Sequence, residues 1–233
     1  MRTRFLFAFI LLFVAATAFA AKPAVGVAEF KNDTSAGWWY SDVGDDLSGM
    51  LANELAGTGK FKVVERDKLD KVLEEQDLAD SGRIKKSTGA KIGEVTGAQY
   101  LVFATVSAFD TKTASTGGGV SFRGISLGGK KEEAYIAVDL RVVDTTTGEV
   151  SFTRTVEARS TGGGINVGVY RGGFGGRLEK EQNTPTGKAI RAVIMEISEY
   201  LACAMVDQDG CMDDYEAKES SRRAKTKKAI KLD

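Results

Sequence analysis

Two stretches of the chain open almost identically, Ser115-Thr116-Gly117-Gly118-Gly119-Val120 and Ser160-Thr161-Gly162-Gly163-Gly164-Ile165. Together, residues 109–135 and 157–184 hold 14 of the 27 glycines. Glycine inside regular structure costs about 0.5–1 kcal/mol relative to alanine, so such clusters belong where the backbone must reverse. After each triple glycine comes a period-two apolar alternation, the pattern of a strand with two different faces. In the first segment it is Val120 and Phe122, then Ile125 and Leu127; in the second, Ile165, Val167 and Val169, then Phe174. Gly124 to Gly129 and Gly172 to Gly176 supply the positive-φ freedom of a tight turn. Each segment reads as a long glycine-rich β-hairpin, inserted into a chain whose other glycines are spread as in an ordinary domain.

Arg2 and Arg4 precede an apolar run, Phe5 to Val14, and the small-residue site Ala18-Phe19-Ala20. This is the layout of a secretory signal peptide, residues 1–20, cleaved after Ala20. A signal anchor is the other reading, but the run is too short to span a bilayer and a cleavage site follows it. No cysteine lies near that site, so the expectation is an exported chain that is not a lipoprotein. The full chain's 32 Lys and Arg balance its 32 Asp and Glu, and loss of Arg2 and Arg4 with the signal leaves 30 against 32, so nucleic acid is not an expected partner. No later apolar run reaches the roughly 18 residues of a transmembrane helix, so any membrane crossing would use strands.

Between these features the chain alternates strand and helix. Ala24 to Phe30 reads as a strand ended by the turn-rich Lys31 to Thr34, and Val43 to Leu55 as a helix ended by Gly57 and Gly59. Phe61 to Glu65 reads as a second strand. Leu69, Val72, Leu73 and Leu78 mark an amphipathic helix from Asp67, and Gly89 to Val95 a short third helix. Tyr100 to Phe109 alternates too little to have a solvent face and is expected to be a central strand buried on both sides. Ala134 to Val143 and Glu149 to Val156 flank a turn ending at Gly148, and Thr184-Pro185 opens a last helix to about Met205. The expected fold is a compact α/β sandwich.

The chain has no histidine, which removes the commonest general base and metal ligand together. Neither glycine cluster has the Lys-Ser or Lys-Thr of a P-loop or the dinucleotide fingerprint. Asp42, Asp45 and Asp46 read as favourable charges at a helix N-terminus rather than a cation site, since the calcium-loop spacing is absent. No catalytic residue, metal site or cofactor is expected. Cys203 and Cys211, the only cysteines, leave two readings: a disulfide between the last helix and the Asp209-Gly210 turn, or two inert thiols. The tail, residues 213–233, is acidic first and then basic, as in a solvated helix, a frayed end or a docking surface. Trp38-Trp39-Tyr40 sits in a polar loop, either as a staple onto the core or as a contact surface.

Val64-Glu65-Arg66, Glu75-Gln76-Asp77-Leu78, Gly97-Ala98-Gln99-Tyr100-Leu101-Val102 and Ala137-Val138-Asp139-Leu140-Arg141-Val142-Val143-Asp144-Thr145-Thr146-Thr147-Gly148-Glu149 resemble the CsgG/HfaB family of curli secretion channels. The resemblance runs from Ala24 to about Met205 and includes an Asn-x-Pro, Asn183 to Pro185, before the last helix. It implies that residues 21–212 form a CsgG-like domain and that copies make a homo-oligomeric ring in the periplasm. Each copy would give two hairpins to one β-barrel in the outer membrane, which passes unfolded amyloid-fibre or holdfast subunits outward. By position it implies that Trp38, Trp39 and Tyr40 line a constriction. Such hairpins insert only collectively, because a lone one would leave edge N–H and C=O groups unpaired in lipid. Each segment is long enough for two arms of about 9–11 residues. Arg123 and Arg171 must then lie at tips or in the lumen, where the roughly 2–4 kcal/mol cost of a lipid-facing cation is avoided. The alternative is a soluble periplasmic interaction module on the same core, similar to lipoprotein activators of penicillin-binding proteins, with the glycine-rich segments as docking loops.

Overall fold

The computed structural model describes residues 21–115, 120–122, 125–127, 130–161 and 184–230. The signal segment 1–20 lies outside them, as do the turn glycines 117–119, 124, 128 and 129 and the second insertion from 162 to 183, with Ile165, Val167, Val169 and Phe174. The described strands are β1 (Ala24–Val27), β2 (Lys31–Asn32), β3 (Lys62–Val64), β4 (Tyr100–Ser115), β5 (Val120–Phe122), β6 (Ile125–Leu127), β7 (Lys130–Asp144) and β8 (Val150–Thr161). The helices are α1 (Val43–Gly57), α2 (Leu69–Asp80), α3 (Pro185–Ala202) and α4 (Cys211–Ala229), with a π turn, Cys203–Asp207, joining the last two. One six-stranded sheet runs β3-β1-β4-β7-β8, with β2 continuing the β1 position beside β4. The β3, β1 and β4 neighbours are parallel; β7 and β8 are antiparallel additions.

α1 and α3 cover one face of this sheet. Leu47, Leu51 and Leu55 of α1 and Ile190, Ile197 and Leu201 of α3 meet Val102, Val138, Leu140 and Val142 in a single buried core. α3 starts as its sequence dictates: the Thr184 hydroxyl accepts from Gly187 N–H at 3.1 Å and Pro185 takes the first helical turn. The β7–β8 turn is held by Asp144, whose carboxylate accepts from the N–H groups of Thr146 and Thr147 at 2.7 and 3.1 Å. Gly148 there takes a φ of 74°, a conformation that disfavours a side chain.

Four expectations need correction. The first strand stops at Val27 and resumes at Lys31–Asn32. Four chain steps from Val27 to Lys31 face only three on β4, from Val102 to Thr105. The extra residue is a bulge, and Phe30 turns into the core at 1% exposure. Gly89 to Val95 forms turns and not a helix, because so short a segment cannot repay helix nucleation and Gly93 has a φ of 82°. β4 is central but not two-sided: Val102, Ala104 and Val106 are buried under the helices while Phe103 is 38% exposed. On that second face the stem of Arg66 and the side chain of Leu101 both close in on Gly26. α2 forms, yet its stripe stays in solvent, with Val72 at 41% and Leu73 at 45% exposure; only Gln76 is buried.

Beyond the core the sheet narrows. β4 pairs with β7 continuously from Tyr100↔Asp144 to Ser115↔Lys130, and a one-residue shift falls between Val106 and Ala108. β8 accompanies β7 as far as Glu133↔Thr161. Further along the first insertion β5 pairs antiparallel with β6, Val120 opposite Leu127 and Phe122 opposite Ile125. β4 and β7 thus leave the helical layer as one paired arm.

Candidate functional site

The aromatic loop hangs from β2 at the root of this arm. Asp33 N–H donates to Val106 C=O at 3.0 Å, which ties the loop's start to β4. Asn32 then organises the turn, its side-chain oxygen accepting from the Thr34 N–H at 3.0 Å and the Thr34 hydroxyl at 2.7 Å. Ala36 N–H donates in turn to the Thr34 hydroxyl at 3.2 Å. Tyr40 C=O accepts from Val43 N–H at 3.2 Å, where the chain enters α1. Both ends of the loop are therefore fixed on rigid elements.

Within it, Trp38 packs edge-on against Phe109 of β4, ring centres 5.3 Å apart, and against Trp39 at 5.5 Å. Trp38, Trp39 and Tyr40 are half-buried against the core. The Trp38 indole N–H is out of solvent with no hydrogen-bond acceptor. The structure brings the three aromatics together with Phe109, which the sequence offered only as the end of a strand. Three residues beyond Val106, Phe109 stands where the arm departs.

The acidic residues at the start of α1 gather near Asp67. Burial, and then the charges of Asp42 and Asp45, raise the Asp46 carboxyl above the usual aspartate range; burial and Asp45 do the same for Asp67. Lys68 partly offsets both. Asp42, the residue preceding α1, makes no side-chain cap bond.

At the far side of the sheet, Cys203 and Cys211 are joined in a disulfide across the elbow between α3 and α4, with Cα atoms 6.1 Å apart. Among the described residues the one grouping of metal-ligand types is Cys203, Asp209 and Cys211, and both sulfurs are committed to that bond. α4 then lies along β8. Arg154 of β8 stacks on the rings of Tyr200 and Tyr215 at 5.0 and 4.8 Å, and its guanidinium donates to the Tyr215 carbonyl at 3.0 Å. Burial, with Glu196 and Glu199 nearby, pushes the Tyr215 phenol up to about 12. Glu219 is held down to about 2, first by its hydrogen bond with Arg222 and further by that with Arg223. Nothing in the residue order of α4 announced this clamp, because its partners come from β8 and α3.

The geometry defines a class: a two-layer α/β domain with a mixed sheet that sends paired strands out of its core past an aromatic loop. The chain belongs to the family described as curli production assembly/transport component CsgG, whose model matches residues 10–230. It is 24% identical over 133 residues to the CsgG protein of Salmonella typhimurium, covering 55% of this chain and 48% of that one. The chain therefore spans about half the length of the curated relatives it matches. Solved structures similar to it include hypothetical protein CT253 from Chlamydia trachomatis, at 16% identity and a TM-score of 0.47, covering 80% of this chain and 99% of that one. A PelC dodecamer from Paraburkholderia phytofirmans is similar at 17% identity and a TM-score of 0.37, covering 76% and 87%. Among the described residues no helix is long and apolar enough to cross a membrane.

Proposed function

We propose that this protein is a non-enzymatic secretion channel component of the outer membrane, passing unfolded protein subunits of curli or holdfast type through a ring of identical copies. The observation that carries this reading is the paired arm. β8 accompanies β7 to Glu133↔Thr161, and from Thr113↔Glu132 to Ser115↔Lys130 β4 and β7 continue alone, roughly 7–10 Å of two-stranded sheet. Two strands alone cannot rest in lipid, since their outer N–H and C=O groups would lack partners. Closure by neighbouring copies removes those edges. In this reading the second glycine-rich segment, which lies outside the described residues, would supply the other two strands of each copy. Assembly also gives the exposed stripe of α2 a lateral partner, and contiguous apolar surface of that kind marks contact sites.

In this reading Trp38, Trp39 and Tyr40 form the constriction. Their loop is anchored at both ends, and Phe109 supports Trp38 at the foot of the arm. A translocating chain would meet aromatic rings that offer contact area without demanding one sequence.

Electron microscopy of the protein extracted from membranes tests the proposal. Rings with a central opening are expected, and recovery solely as a soluble monomer would sink it. Given rings, replacing Trp38 and Trp39 with Ala should raise single-channel conductance. Unchanged conductance would remove the constriction while leaving the ring.

A further inference from the structure

A cleft of about 800 Å³ lies between β8 and α4. Strand register fixes its height on the molecule. At Asp110↔Tyr135↔Arg159 the sheet has been reduced to β4, β7 and β8, because β1 ends opposite Val102 and β2 opposite Val106. α4 climbs to this level from below: its Tyr215 is clamped at Arg154, while Lys225, Thr226 and Ala229 line the cleft with Tyr135 and Arg159. The C-terminal end of α4 therefore points along the arm, away from the core.

The charge of α4 is sorted along the same axis. Asp213, Asp214 and Glu216 stand near the elbow, Glu219 is the last acid of the helix, and Arg222, Arg223, Lys225, Lys227 and Lys228 follow. Glu219 accepts from Arg222 and Arg223 at 2.7–2.8 Å, which ties those two down. Lys225, Lys227 and Lys228 are exposed, and no ion pair joins them to any of the described residues. Arg159 adds a cation at the same level, over the Tyr135 ring at 5.1 Å. The acids lining the cleft are Glu157, Glu196 and Glu219, of which Glu196 is paired with Lys218 and Glu219 with Arg222 and Arg223. One or two cations in the last turn would satisfy the helix dipole. Five in succession, delivered to the root of the arm, exceed that need.

We propose that the basic end of α4, with Arg159, is a docking surface for anionic phospholipid headgroups at the plane where the arms enter the bilayer. It rests on the channel reading for the orientation of that plane. An exposed cation near an anionic membrane strengthens partitioning about fivefold, and the attraction fades within about 10 Å at 0.1 M salt. The surface therefore acts only where the arms hold it against the headgroups, and it would fix the ring's depth.

Co-sedimentation of the full mature chain tests this, using vesicles of phosphatidylcholine alone and of phosphatidylcholine with phosphatidylglycerol. The expected result is at least about tenfold tighter binding to the anionic vesicles, weakening as salt rises and lost in the Lys225→Gln, Lys227→Gln, Lys228→Gln triple variant. Equal binding of wild type and variant to anionic vesicles overturns the proposal. So does a variant that differs from wild type only in binding polyglutamate, since the surface would then serve an acidic protein. Salt-resistant association with pure phosphatidylcholine reports the arms separately, so failure of the channel reading is distinguishable.

Discussion

Arg154 donates to the Tyr215 carbonyl at 3.0 Å and stacks on the same residue's ring at 4.8 Å, so one side chain grips both the backbone and the face of α4. Tyr200 closes the stack from α3, edge-on to Tyr215 at 5.3 Å. Arg154→Ala should therefore cost about 2–3 kcal/mol, from a desolvated cation–π contact and a charge-assisted hydrogen bond. The loss should appear as faster amide exchange in α4 with little change in α1. Uniform destabilisation across both helices would show that the clamp is not local.

The disulfide closes the elbow just before this clamp, across a sequence separation of 8. Loop-closure entropy for such a span is worth about 2.5 kcal/mol. Replacing both Cys203 and Cys211 with Ala should lower the urea midpoint accordingly, and a reducing agent should lower the wild type to match. A wild type indifferent to reductant would be inconsistent with the bond's contribution.

The Trp38 indole N–H is buried without an acceptor. Trp38→Phe keeps the edge contact with Phe109 and removes the orphan donor, whose burial costs about 1–3 kcal/mol. The isolated protomer should be as stable or up to about 1 kcal/mol more stable. Clear destabilisation would mean that the indole is partnered in solution.

Glu219 connects stability to acid. Its folded pKa, about 2, lies below the ordinary value of 4.5, so the folded state binds its proton more weakly than the unfolded chain does. Its stabilisation is present above the unfolded value and is lost as pH falls through about 4.5 toward 2. Glu219→Gln should loosen α4 at pH 7 and make no difference near pH 2. A gap between variant and wild type that persists in acid would exclude this origin.

Gly44 sits in the first turn of α1, where a Cβ would lie 2.6 Å from the Phe30 carbonyl oxygen and 2.9 Å from the Glu29 side chain. Gly44→Ala must push α1 off the bulge that seats Phe30. A loss of roughly 1–3 kcal/mol is expected in thermal unfolding, against little change for Gly49→Ala, where nothing lies within 4 Å.

Periodicity made most of the fold legible. Leu47, Leu51 and Leu55 announced α1, Thr184-Pro185 announced α3, and Asp144 to Gly148 announced the β7–β8 turn, because each signal is local. Apart from the short segment Gly89 to Val95, the misses share one cause. The stripe of α2 has helical spacing, but spacing does not say what will cover it. The alternation of β4 is blurred because a residue is inserted after Val106, and only the partner strand reveals the shift. The contacts of Trp38 with Phe109 and of Arg154 with Tyr215 join elements far apart in the chain, a relation no local pattern encodes.

That inserted residue has a further reach. Before the shift Val106 lies opposite Val138 on the helix-covered face; after it, Phe109 lies opposite Ile136 and Thr111 opposite Ala134, so the face passes from even to odd positions of β4. Ser107 thus absorbs the change of parity between the two strands. A chain lacking this one residue would keep every later pair and the face each β4 side chain takes from its β7 partner, but it would lose the bulge's local bend and twist and so re-aim the arm as it leaves the core.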